Sequence, residues 1–160
     1  MYASIWMALA LFVAGEVGKR RGPNGPPPST WAWRVWTLGA LSAMAHMLIA
    51  LAIRYGWSQD AAVRETARQT AMVYGVAWGG GVYVNYLFVT TWLAEAWWWR
   101  ISPARYISRP RAVTLGLRIF YLLIIVNAAV VFASPSGRVL GVLLTTALVW
   151  SWSAGTAPKA

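Results

Sequence analysis

Five stretches of the chain are nearly free of charge. They fall at about 2–17, 36–53, 71–94, 113–133 and 139–152. A helix needs about 20 mostly apolar residues to cross a hydrocarbon layer, so the pattern predicts an all-α integral membrane protein. The expected fold is a bundle of about five transmembrane helices, a single helical domain over 1–160. The stretch 139–152 is the weakest, and four spans result if it lies in the interface. The polar intervals shape the connections. Gly22 to Pro28 contains four prolines and cannot be helical, while Ser29 and Thr30 after it are suitable helix caps. Asp60 to Thr70 is charged but helix-compatible, with Ser58 as a cap, and is expected to extend the third helix beyond the membrane.

Composition strengthens the membrane reading. Charged residues make up 11% of the 160 residues against a hydrophobic share of 59%, where soluble domains carry about 25% charge. The absence of cysteine excludes disulfides and thiolate metal sites. A net charge of +10 would suit nucleic acid, but the apolar runs between the basic clusters are too long, so no nucleic-acid partner is expected.

The distribution of charge sets an orientation. Lys19, Arg20, Arg21, Arg34, Arg100, Arg105, Arg109, Arg111 and Lys159 fall on one side, and Arg54, Arg64, Arg68 and Arg138 on the other. The positive-inside rule then places the amino terminus outside and the carboxyl terminus in the cytoplasm of a bacterial inner membrane. The basic cluster follows the first apolar stretch, the reverse of a signal peptide. Tryptophans are expected as interfacial anchors: Trp31, Trp33 and Trp36, then Trp97 to Trp99, with Trp150 and Trp152, and Trp57 on the outer side. Arg100, Arg105, Arg109 and Arg111 beside such anchors suit anionic lipid headgroups.

Polar residues within spans should meet partners at matching depth. In antiparallel third and fourth helices, one register pairs Glu95 with Arg118 and Asn85 with Asn127. Glu95 is either half of a structural ion pair or a proton or cation carrier. Gly79, Gly80 and Gly81, with Gly75 completing a G-x-x-x-G, offer a face for close helix packing or a groove for a flat ligand.

The single histidine, His46, lies near the middle of the second span among the small residues Ser42, Ala43 and Ala45. It is either a hydrogen-bonded core residue or a cofactor ligand. Ser42-x-x-x-His46 with Trp57 eleven residues later resembles the histidine segment of bacterial light-harvesting polypeptides, over about sixteen residues. There a small residue one turn before the histidine makes room for the pigment ring. A neutral imidazole can bind the iron of haem or the magnesium of a chlorin, and the resemblance implies a (bacterio)chlorophyll pigment for His46; it does not assign the family, whose members cross the membrane once.

No acid–base pair, phosphate loop or nucleophile motif accompanies four acidic residues and one histidine, so an enzyme is not expected. The expected function is an accessory subunit of a larger membrane complex of respiratory or photosynthetic type, in electron transfer. It would pack against partner subunits and hold haem, chlorin, quinone or lipid near His46, Ser42 and Gly79–Gly81. The alternative is a small oligomeric transporter or channel using Glu95, Arg118, Asn85 and Asn127. A lipid-binding or assembly factor acting through the basic face is a third class.

Overall fold

The computed structural model describes residues 2–19 and 30–153. The proline-rich segment 22–28, the Ser29 cap, Arg20, Arg21 and Lys159 lie outside the described residues. Within them the chain is all helical: α1 Tyr2–Gly18, α2 Thr30–Ile49, α3 Gln59–Tyr74, α4 Gly81–Ile101, α5 Pro103–Ile107, α6 Arg111–Val126 and α7 Pro135–Ser153. Two π-helical turns, Ala50–Arg54 and Asn127–Val131, continue α2 and α6. With these extensions, Thr30–Arg54 and Arg111–Val131 are long and apolar enough to cross a membrane, at 25 and 21 residues with mean hydropathies of 1.7 and 2.1. Only 28% and 17% of their most apolar windows are buried within the protein. Most of that apolar surface therefore faces outward.

The five long helices alternate in direction. Gly15 of α1 abuts Trp36 of α2, where an added Cβ would lie 2.8 Å from the indole. Gly39 of α2 is equally tight against Trp92 of α4, at 2.7 Å. Tyr121 of α6 packs on Phe88 of α4, and Gly141 of α7 lies against the Ala129 backbone in the second π turn. Glycine is required at Gly141 because any Cβ would overlap a main-chain oxygen. The centre is aromatic: Phe12 sits 4.6 Å from Trp36, 4.9 Å from Trp92 and 5.1 Å from Tyr121 between ring centroids. Tilted and edge-on pairs of this kind stabilise beyond their buried area, by about 0.5–1.5 kcal/mol each.

This core corrects the reading of tryptophan as mainly anchoring. Trp36 and Trp92 are fully buried and Trp99 nearly so, whereas Trp31, Trp57, Trp97 and Trp150 are exposed. Trp33 is turned inward and donates its indole N–H to the Ala96 carbonyl, 2.9 Å away. In a bundle this thin, the largest rings are the groups able to fill the gap between helices, so several are drawn inside.

The expected helix over 71–94 is broken. α3 is a separate amphipathic helix, begun by Ser58, whose hydroxyl accepts from the Ala61 N–H. It ends at Gly75 in the left-handed region, with φ +73°. Residues 76–80 are not helical, and α4 starts at Gly81. Each of the three consecutive glycines weakens a helix by about 1 kcal/mol relative to alanine, so the chain turns there instead of running straight. α3 consequently folds back on the end of the bundle. Tyr86 of α4 donates to Gln59, Thr70 exchanges hydrogen bonds with the Trp78 backbone, and Tyr74 donates to Asn127.

Candidate functional site

Two polar sites occupy opposite ends of the bundle. At the first, where α1, α4 and α7 end and α2 and α6 begin, Glu95 is buried. Its two carboxylate oxygens accept hydrogen bonds from Tyr106 and Tyr121, both at 2.8 Å. Arg109 stands 3.2 Å from the same carboxylate and Lys19 4.0 Å. Lys19 makes its shorter ion pair with Glu16, at 2.7 Å, with its ammonium over the Trp36 ring. Trp152 of α7 donates to the other oxygen of Glu16. Burial works against the Lys19 charge, but the Glu16 and Glu95 carboxylates outweigh it and hold its pKa above the ordinary lysine value. Burial, chiefly, pushes the Tyr106 phenol up, so it remains a donor to Glu95.

The expected pairs Glu95–Arg118 and Asn85–Asn127 do not form. Helices α4 and α6 do lie antiparallel, but the side chain that meets Glu95 is Tyr121, almost one turn beyond Arg118. Rotation about the helix axis decides this, and residue spacing along the chain does not reveal it. Arg118 instead lies over the Trp152 ring, 5.3 Å from its centroid. Asn127 is taken by Tyr74 of α3, which the helix break at Gly75 brings within reach. Of the four arginines expected at lipid headgroups, Arg100, Arg105 and Arg111 are exposed. Arg109 is turned inward to Glu95. Glu16, Lys19, Tyr106 and Tyr121 were missed as its company. The legible signal was the pairing of Glu16 with Lys19, three residues apart, at the end of the bundle that also holds Glu95.

The second site is a cavity of about 260 Å³ at the other end. Its walls are mostly apolar, with His46, Tyr55, Thr66, Asn85 and Tyr86 as polar points. Both π turns contribute to it, through Ala50 and Leu51 from one and Ala128 from the other. Such turns displace the helix face by one residue and recur at functional sites. α3 closes one side with Ala62 and Thr66. His46 Nδ1 lies 2.9 Å from the Ser4 hydroxyl. On the continuous helix Thr30–Arg54, His46 is about 6 Å past the middle and about 12 Å short of the far end, at 1.5 Å per residue.

The structure separates the residues expected to form this site. Ser42 is buried one turn before His46 but does not line the cavity; Ala43 and Ala50 supply the room. Gly79, Gly80 and Gly81 offer no groove. A Cβ on Gly79 would collide with Val63 of α3 and one on Gly81 would meet Thr66, while Gly80 is covered by Trp78. At about 260 Å³ the cavity lies just below the roughly 300–1,000 Å³ of small-molecule pockets, with room for a single small ring and not for a tetrapyrrole. A haem or chlorin ring does not fit without displacing α3. Among the described residues no group of three or more histidine and acidic side chains could hold a metal ion.

The chain matches no family model, no curated protein and no solved structure.

Proposed function

We propose that this chain is a non-catalytic membrane subunit of five spans, amino terminus outside, that packs against partner subunits and holds a quinone-type ligand at His46. The observation that carries the reading is the His46 cavity, an apolar space with several convergent polar groups, the usual form of a small-molecule site. A flat ring bearing carbonyl oxygens would find donors in Tyr55, Thr66 and Asn85, and an apolar tail would leave between helices.

Three further features support the membrane assignment. Thr30–Arg54 and Arg111–Val131 have the length and hydropathy of spans, and α1, α4 and α7 run beside them between the same two ends. The outward faces carry Leu38, Leu41, Leu115, Leu123, Leu140 and Leu143, all exposed, which favours a lipid or subunit environment over water. A non-catalytic role is supported by the engagement of three of the four acidic residues. Glu16 and Glu95 are tied into the buried network, and Glu65 is held by Arg54, Arg68 and Gln69. This also counts against a transport path through Glu95.

The test is gentle solubilisation from the native membrane, followed by absorption spectra and mass spectrometry of extracted small molecules and co-purifying proteins. The expected result is partner subunits at fixed stoichiometry, no tetrapyrrole band, and a quinone retained by the wild type and lost in His46→Ala. A Soret or chlorin band abolished by His46→Ala would replace the quinone by a pigment. A chain purified alone and empty would overturn the reading in favour of a transporter, for which Glu95→Gln should stop flux.

A further inference from the structure

A second, smaller cavity of about 190 Å³ opens at the basic end, lined by Glu16, Lys19, Tyr106, Arg109, Thr114 and Arg118 among others. Among the described residues its charges do not balance. Lys19, Arg109 and Arg118 face Glu16 across it, and Glu95 lies directly behind. Three cations against two carboxylates leave one positive charge in excess. Retaining such a charge at the end of an apolar bundle is costly unless it is countered. The donors are also incompletely used. Arg109 gives its Nε–H to Thr114 at 3.0 Å, but its buried Nη1 satisfies no hydrogen bond despite standing near Glu95. Arg118 donates no hydrogen bond among the described residues; it lies over the Trp152 ring face and within electrostatic reach of Glu16.

We propose that this cavity binds a phosphate group, with Arg118 and Lys19 as the contacting cations and Arg109 behind them. A singly charged phosphodiester cancels the excess charge. Its oxygens suit the planar donor fork of arginine, and the Thr114 hydroxyl adds a neutral partner. The group could belong to an anionic phospholipid or to a free phosphate compound, since the chemistry recognised is the same. The inference does not depend on what occupies the His46 cavity.

The full chain, delipidated in detergent, is titrated separately with phosphatidylglycerol, phosphatidylcholine and inorganic phosphate. Binding is followed by native mass spectrometry and thermal shift. Phosphatidylglycerol is expected to bind in preference to phosphatidylcholine. Arg118→Gln should weaken it about tenfold, the effect of one lost charge-assisted hydrogen bond, with Arg111→Gln as an exposed control that leaves it nearly unchanged. If inorganic phosphate gives the same Arg118-dependent shift and displaces the lipid, the site stands and a soluble phosphate compound is its source. Equal losses in both variants, or binding indifferent to Arg118, would overturn the proposal. Should Arg118→Gln fail to fold, a phosphatidylglycerol with a photoreactive headgroup decides on the wild type: labelling within residues 16–19 or 106–118 is expected, and labelling confined elsewhere refutes the site.

Discussion

The two ends of the bundle are built from opposite materials. At the basic end the helices are held by large rings and by a charge network in which Glu95 accepts from two tyrosines and faces two cations. Trp99 stacks on Tyr106 there with ring planes 6° apart. At the His46 end Ala43, Ala50 and Ala128 leave a cavity between the helices, beside the rings of Tyr55, Tyr86 and Phe88. Two of the helices loosen into π turns, and a helix laid across the end replaces direct contact. The first arrangement has little tolerance for change. The second leaves an unfilled space beside α3, which is fastened to the bundle by a few polar side-chain contacts. Local opening is easiest where few buried apolar contacts resist it, so the His46 end is the adaptable one and the Glu95 end carries the stability.

The sharpest way to break this contrast is at Glu95. Glu95→Ala would leave Tyr106, Tyr121 and Arg109 buried without their acceptor. It is expected to cost about 3–5 kcal/mol, as does breaking other buried ion pairs, read as a large fall in the thermal midpoint in detergent. A small effect would mean that the network is dispensable. Next is Gly141→Ala, whose methyl would overlap the Ala129 oxygen. It should separate α7 from α6 and cost about 1–3 kcal/mol, the usual penalty of overpacking.

The opposite sign is expected at the other end. Ala128→Leu projects into the His46 cavity and should stabilise the ligand-free chain by about 0.5–2 kcal/mol, as cavity filling commonly does. It should also abolish retention of the extracted ligand. Destabilisation would show that the cavity is tightly shaped instead of adaptable. Gly75→Ala, at φ +73°, is expected to cost about 1 kcal/mol through the left-handed penalty. Faster hydrogen exchange confined to α3 would check it.

The smallest effect concerns pH. Hydrogen bonds from Arg68 and Gln69, chiefly, hold the Glu65 carboxyl down at about 2. A depressed folded-state pKa gives stability that is present above the ordinary carboxylate range and is lost as pH falls toward 2. The group is near the surface and screened, so only a modest loss of α3 protection is expected over that window, absent in Glu65→Gln.

Much of this arrangement was legible in the residues. The positions of α1, α2, α6 and α7, the Ser58 cap and the gathering of basic residues at one end follow from apolar run length, side-chain hydrogen bonding and charge placement, which are local properties. The separation of α3 from α4 was partly visible in Gly79, Gly80 and Gly81. That triple glycine can mark either a close helix contact or a break, and only the docking of Val63 and Thr66 resolved it as a turn packed beneath α3. Likewise, the sequence determined that Glu95 needed a partner near the end of its helix. Tertiary structure decided that the partners are Tyr121 and Tyr106 with Arg109, because helix rotation and the entry of α5 set which side chains converge. The His46 cavity belongs wholly to that second category. It arises from what two π turns and a folded-back helix fail to fill, and spacing along a chain does not encode unfilled volume.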